Sequence, residues 1–434
     1  MKYKFYLIIA GLLIAASPLM SQATIELNVG DDLITTVAVA ADGDTILIKQ
    51  GLHKAQYETI LLDKTVILKG EAGAEMPKLY IKQIDAQAEG IDVMLMNLDI
   101  SGAGVDSLTG DENLDELTAD YCVNLISGTA GTFGDIVIQS CIVRNFNKAI
   151  VRGDRDTYTV ENFLFDDMVA YDYRGGSDYG PFRLKSKLTF GTFTLSNSTM
   201  YNFLNKIVDC QDVVSSPMDV TIENCTFNTM GGGKSGNYLF DIEDNDQATL
   251  VIRNCILGST NHSELVLVNG FRVHADAYLE MTNSALTPDF QVTEGTYTAT
   301  EFDKTEYNLE DFNPEWADPD NGDFTLPVDS DLLQWSPEGT IIGDPRWNPI
   351  VDGISRHAGE TGFYMYPNPA SDRIQFVSER FDFTVHIYNM LGKKVLSVYH
   401  IPGQAGVDIS DLQPGIYFVK KEGLKNQAVK LVIK

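Results

Sequence analysis

Basic side chains are scarce in this chain: 32 Lys and Arg stand against 61 Asp and Glu in 434 residues, a net charge of −29. The deficit is uneven, because nine basic residues face six acidic ones from Thr361 onward, whereas residues 24 to 360 hold 21 basic and 55 acidic side chains. A body of that sign repels nucleic acid, anionic lipid and polyanionic glycan unless cations bridge them. It favours bound Ca²⁺ or neutral ligands, or serves solubility alone. Cysteine is nearly absent as well: the five Cys form no CxxC pair, the six His are scattered, and no Cys/His spacing fits zinc. No apolar run reaches the roughly 20 residues of a membrane span. The longest, from about Phe5 to Ala16, follows Lys2 and Lys4 and leads to a small-residue cleavage pattern at Ala23. That is the layout of an export signal peptide over residues 1–23 and not of a transmembrane anchor.

What is present is a repeat. The segments IVIQSCIV, YTVENFLF, FTLSNSTM, VTIENCTF, LVIRNCIL and LEMTNSAL align without gaps on Ser140, Asn162, Asn197, Asn224, Asn254 and Asn283. The columns two and four residues before and three residues after that slot are apolar. Period-two alternation means strands, and recurrence at 22, 35, 27, 30 and 29 residues means one unit stacked on itself. Asn suits the turn between two strands of a coil because it tolerates the left-handed backbone region, and its amide can bond to the Asn of neighbouring coils. The pattern predicts an all-β chain, a right-handed parallel β-helix with coils roughly 4.8 Å apart. Cys141, Cys225 and Cys255 share the column after the slot and read as stacked buried thiols, with a Cys225–Cys255 disulfide as the alternative.

Residues 31–70 place a short apolar-periodic stretch before the strands DTILI and TVILKG, which resembles the helix-capped entry of pectate-lyase-like β-helices. The acidic segment from Ser107 to Asp120 reads as an outer loop, and residues 312–347, holding Trp316, Trp335 and Trp347, resemble the closing segment of secreted bacterial β-helix proteins. Residues 24–347 thus resemble the pectin-lyase-like superfamily, including uncharacterised secreted Bacteroidetes members. Residues 348–362 read as a Gly/Pro-punctuated linker. From residue 363 the chain carries PNP with Asp372 close behind, the hairpin IYNMLGKKV, LQPGIYFV and a terminal KLVIK. These pieces resemble the C-terminal sorting domain of type IX secretion cargo. The resemblance implies a small Ig-like β-sandwich over residues 363–434, a partner in the type IX secretion machinery, and a product secreted or attached to the cell surface.

A second strand family, KAIVRGD, GPFRLKS, KIVDCQD, YLFDIED and ELVLVNG, aligns on inward Ile150, Phe182, Val208, Phe240 and Val266. Its outward columns hold Val151, Arg183, Asp209, Asp241 and Leu267, then Lys185, Gln211, Glu243 and Asn269, with Arg152 an exception on the inward side. Cations beside carboxylates suit β-elimination on an acidic polysaccharide. A cation must neutralise the uronate carboxylate, either Ca²⁺ held by Asp209, Asp241 and Glu243 or the Arg/Lys side chains themselves, and Lys185, with its pKa lowered by Arg183 and by burial under substrate, would take the proton. The same carboxylates suit hydrolysis, and mutual neutralisation on a solvated sheet is the third reading. Loops after Arg152 and around Tyr171 to Gly180 are expected to overhang this face. Tyr171, Tyr173 and Tyr179 would then stack on sugar rings and Arg155 and Arg174 would bind carboxylates, unless the loops are merely solvated. FRLKS resembles the Lys segment of chondroitinase-B-like and alginate lyases, without an evident downstream Arg, and polygalacturonase motifs are absent. The function expected is lyase-type cleavage of a uronate-containing glycan; the alternative is a non-catalytic surface protein that binds glycan or adheres through the same face.

Overall fold

Parallel strands that repeat one apolar frame bury it only by stacking, and the chain does so. The structure is a computed structural model. It describes residues 22–434 apart from 55–57, 106–111, 114–118, 127–130, 155–156, 174–179, 186–187, 205, 213–216, 232–237, 259–267, 275, 288–289, 292–301, 305–311, 334, 336–340, 350–362, 367–369, 372, 379–382, 391–392, 401–406, 411 and 422–428. Among the described residues each coil passes through three parallel sheets in turn. The first sheet has eleven strands, from Thr24–Leu27 to Phe302–Lys304; the second has nine, from Leu52–Lys54 to Ala285–Leu286; the third has nine, from Thr59–Leu62 to Phe290–Gln291.

Register pairing places like on like. One inward column of the first sheet runs from Ile46 through Leu68, Leu95 and Ile138 to Phe165, Leu195, Ile222, Ile252 and Met281, all fully buried. Around Phe165 the core is aromatic, with Phe182 at 4.5 Å and Phe193 at 5.4 Å between ring centres. Each such ring contributes about 1.5–3 kcal/mol by burial. The helix Leu33–Val39 closes the first coil: Asp32 caps it by accepting from the Thr35 amide at 3.2 Å, and Leu33 and Val37 are buried.

The turn after the first sheet is left-handed. Ser140, Asp167, Asn197, Asn224, Asn254 and Asn283 have φ of 47–55°, so the slot recurs at 27, 30, 27, 30 and 29 residues. Asn162 is not a member. The strand Tyr158–Asp166 turns two consecutive residues, Glu161 and Asn162, outward, which flips the parity, and the aligned segment is FLFDDMVA. Asn162 instead donates to Asp135 (2.7 Å) and accepts from Thr192 (2.6 Å) on the outer face. A second left-handed column, Asn145, Asp172, Asn202 and Thr229, follows five residues later, one residue past the strand Ile142–Arg144 and one residue before the ends of Val169–Tyr173, Thr199–Phe203 and Thr226–Met230 in the second sheet. The Asn-to-Asn bond predicted between coils forms from Asn224 Nδ2 to Asn197 Oδ1 at 3.3 Å.

All five Cys are buried and none is disulfide-bonded, so the Cys225–Cys255 bridge does not form. The thiols of Cys141, Cys225 and Cys255 donate to the carbonyl two residues back at 3.1–3.3 Å, as Ser198 and Ser284 do with their hydroxyls. Burial pushes the Cys141 thiol up to about 12.

The described residues of the segment 312–349 run back along the flank of the second sheet as a strap instead of closing the end of the helix. Phe324 is wedged between Trp316 (5.1 Å), Trp347 (5.6 Å) and Tyr201 (5.2 Å). Leu326, Leu332 and Ile342 pack on Ile256 and Ala285. The polar pins are the Thr199 hydroxyl, which donates to Asp344 Oδ2 at 2.7 Å and accepts from Trp347 Nε1 at 2.6 Å, and Arg346 on Asp167. The tryptophans therefore serve packing. The C-terminal region forms two antiparallel sheets, of three and four strands among the described residues. Its own core includes Ile374, Val385, Ile387, Val419 and Leu431.

Two outcomes follow for stability. Asn224→Ala loses its bond to Asn197 and puts a Cβ-bearing non-Asn residue at positive φ, at a cost of about 1–2 kcal/mol, whereas Asn224→Gly costs less, measured by chemical denaturation. Asp344 is 2% exposed, and burial raises its pKa from 3.8 to about 6. Between those values the folded state holds a proton that the unfolded state releases, so this group adds stability as pH falls from about 6 to about 4. The wild-type minus Asp344→Asn stability difference should rise over that window by an amount on the order of 3 kcal/mol. A flat difference would place Asp344 in a solvated setting.

Candidate functional site

The outward column of the third sheet is charged along most of its length. Register pairs Asp85 with Asn124, then Arg152, Arg183, Asp209, Asp241 and Arg272 on successive coils. The strands are short here, Phe182–Arg183 and Val208–Asp209, and are anchored by inward Phe182, Val208, Phe240 and Phe271, all fully buried. Two like-charged pairs therefore stack, Arg152 on Arg183 and Asp209 on Asp241. Two like unit charges held at the inter-coil spacing of about 4.8 Å repel by about 3–4 kcal/mol at an effective dielectric near 20.

Each pair is bridged by an opposite charge from outside the column. Asp154 Oδ1 accepts from Arg152 Nε at 2.6 Å, and its Oδ2 accepts from Arg183 Nε. Lys206 Nζ lies 2.6 Å from Asp241 Oδ2 and 3.3 Å from Asp209 Oδ1. Arg272 adds a bidentate grip on Asp241, at 2.9 and 2.6 Å, and reaches Glu243 at 2.8 Å. Tyrosines floor both ends: the Arg152 guanidinium sits 4.7 Å over the Tyr121 ring and that of Arg272 sits 4.9 Å over Tyr238. At the first end, Lys148 pairs with Asp120 at 2.6 Å.

Burial raises the Asp209 pKa against the opposing charges of Lys206 and Lys185. Burial would also raise that of Asp154, but Arg183 and Arg152 outweigh it and hold the pKa below the usual value. Among the described residues Asp209 Oδ2 makes no hydrogen bond, and it stands 3.7 Å from Arg183 Nη1. Lys185, half-buried two residues beyond Arg183, has no ion pair within 4 Å among the described residues, although its charge reaches Asp209.

The structure thus brings Arg183, Lys185, Asp209, Asp241 and Glu243 to one face. It does not bring Tyr171 and Tyr173 there. Both lie on the strand Val169–Tyr173 of the second sheet. Tyr173 is 1% exposed, its hydroxyl bonded to the Val143 carbonyl at 3.1 Å, and Tyr171 stacks on Tyr201 at 4.9 Å. Neither can stack on a sugar at the third sheet. Arg155, Arg174 and Tyr179 lie outside the described residues. Asp209, Asp241 and Glu243, expected from sequence as calcium ligands, are interleaved with Lys206 and Arg272. Among the described residues no three His, Cys, Asp or Glu side chains form a metal-holding group.

Sequence reasoning missed Arg152, Asp154, Lys206 and Arg272. Two signals were available. Arg152 interrupted an apolar column, which marks a strand read one residue out of phase, and GFRVH at 270–274 repeats the frame of PFRLK at 181–185. Lys206 and Asp154 lie off the strands and left no periodic trace.

Two family models match the chain: residues 364–434 match the secretion system C-terminal sorting domain, and residues 220–347 match a domain of unknown function, DUF5123. No curated protein matches the sequence. A solved structure of a mutant of the PL6 family alginate lyase AlyGC is similar at 13% identity and a TM-score of 0.40, covering 67% of this chain and 38% of that one. The protein is a parallel β-helix with a C-terminal sorting domain handled by the type IX secretion system, and it is exported to the cell surface or secreted. No helix among the described residues is long and apolar enough to cross a membrane.

Asp154 tests the ladder. With it replaced by Ala, Arg152 and Arg183 remain stacked, each 8% exposed, without their shared counter-ion. Asp154→Ala should cost about 3–5 kcal/mol in chemical denaturation, and adding Arg183→Met should recover part of that loss. Additive losses would mean that the two arginines do not repel.

Proposed function

We propose that the third-sheet face binds a uronate-containing polysaccharide and cleaves it by β-elimination. The observation that carries this reading is the placement of positive charge. Lys148, Arg152, Arg183, Lys185, Lys206 and Arg272 all lie on or beside strands of this sheet, on a body where acidic side chains outnumber basic ones 55 to 21. Five of them are ion-paired within the protein, and Lys185 is the one without such a pair among the described residues. Arg183, held in place by Asp154, orients and neutralises the substrate carboxylate, which acidifies the proton beside it. Lys185 takes that proton; the bond to the leaving sugar oxygen then breaks and that oxygen is protonated from solvent, giving an unsaturated uronate and a new chain end.

A second reading, glycan binding or adhesion without cleavage, is favoured by the burial of the ladder. Asp209 and Asp241 are 1% and 0% exposed and already compensated, so the face is complete without a substrate.

Incubating the protein with a panel of uronate polysaccharides, with and without Ca²⁺, separates the two by the ultraviolet absorbance of the unsaturated product. Rising absorbance that falls at least about 100-fold in Lys185→Ala supports the lyase. Rising absorbance that survives Lys185→Ala removes Lys185 as the base. A flat trace, with retention of one polysaccharide weakened by Arg183→Gln or Lys185→Ala, supports binding alone.

A further inference from the structure

Two of the three carboxylates expected from sequence to hold a metal ion already share an ammonium group. Asp209 and Asp241 are register partners on adjacent coils, and Lys206, itself 8% exposed, touches both, at 3.3 and 2.6 Å. Its backbone is positioned by contacts of its own. The Ile207 amide donates to the Leu239 carbonyl at 2.7 Å, and on the preceding coil a Cβ built on Gly180 would stand 1.8 Å from the Lys206 carbonyl oxygen. Only glycine at 180 allows the chain before Asp209 to sit this close. On the other side Arg272 takes both oxygens of Asp241 and draws Glu243 away with its remaining nitrogen at 2.8 Å. A divalent cation at these carboxylates would have to displace Lys206 and sit against the Arg272 guanidinium. The donor set therefore does not fit Ca²⁺.

We infer that Lys206 is the resident counter-ion of this face, holding Asp209 and Asp241 together in the place a divalent cation would take, so that the integrity of the face is independent of Ca²⁺. This goes beyond the glycan-cleaving reading and does not rest on it: a lyase, a binder or neither can be built on the same bridge. The physical reason is the stacking itself. Two carboxylates one coil apart need a positive charge between them, and an ammonium carried on the chain supplies it at every ionic composition, whereas a bound ion is lost to dilution or chelation.

The test is thermal unfolding of the purified full-length protein in EDTA and in excess Ca²⁺, with the variants Asp209→Asn, Lys206→Met and the double variant. Any EDTA-induced shift of the wild type arises elsewhere on the acidic body and is expected to be the same in Asp209→Asn. A destabilisation by EDTA seen in the wild type and absent in Asp209→Asn would overturn the inference. Lys206→Met is expected to unfold at least about 5 °C lower, and Asp209→Asn in that background to recover at least half of the loss, because removing one carboxylate removes the repulsion. A Lys206→Met protein as stable as the wild type, or one that Asp209→Asn does not rescue, would also overturn it. If Lys206→Met yields no folded protein while the double variant folds, that counts as the expected rescue. If neither folds, the chelation comparison between wild type and Asp209→Asn decides alone.

Discussion

Stacking in register is the constraint on which this molecule depends. A parallel β-helix gives every side chain two neighbours of its own column about 4.8 Å away, so each column multiplies whatever its residue type does. For the column from Ile46 to Met281 that multiplication is favourable, since apolar groups stacked on apolar groups remove water along the whole axis. For the column from Arg152 to Arg272 it is unfavourable wherever like charges meet, and it is tolerable only because Asp154 and Lys206 enter from the flanks. Burial raises the stakes on both sides: the bridges are strong because water is excluded, and their loss would leave charges that nothing solvates.

The three faces are consequently not equivalent. The second sheet is occupied, its polar outer residues Thr199 and Thr226 used up by Asp344 and its apolar ones by the strap. The family match over residues 220–347 spans the later coils together with that strap, and the strap's closing residues Asp344, Arg346 and Trp347 are the ones that reach back to Asp167 and Thr199. Body and strap are therefore one packing unit. The third sheet carries the concentrated charge, including Lys185 without an internal ion pair among the described residues, and it is the face proposed here to meet a ligand.

Much of the fold was legible in the sequence because its signals are periodic. Alternation, the recurring Asn slot and the turn-rich C-terminal strands each repeat a local rule. The errors arose where parity changes by one residue. Asn162 occupied a convincing slot because a nine-residue strand with two consecutive outward residues carries the same alternation in two frames, and only the coil-to-coil register shows that Asp167 makes the turn. The same single-residue slip hid Arg152. The site was less legible for a different reason: Asp154, Lys206 and the true position of Arg272 matter through contacts between coils 29 to 35 residues apart, which no local pattern encodes. Tyr171 and Tyr173 misled in the opposite direction. Aromatic residues next to a Gly-rich stretch read as a loop, yet they are strand residues whose second-sheet neighbours, Val143 and Tyr201, lie on other coils.

A net charge of −29 is no obstacle to an acidic glycan at this face. At physiological ionic strength the Debye length is about 8 Å, so a polymer touching the third sheet is screened from most of the acidic body and feels the charges within its first few contacts. There the carboxylates are already committed: Asp154 to two arginines, Asp209 and Asp241 to Lys206, and Asp241 also to Arg272. Internal pairing thus does more than stabilise the stack. It neutralises the negative charge of the face locally while leaving Lys185 at its margin, so a protein that is acidic overall can present a surface on which a uronate carboxylate is not repelled.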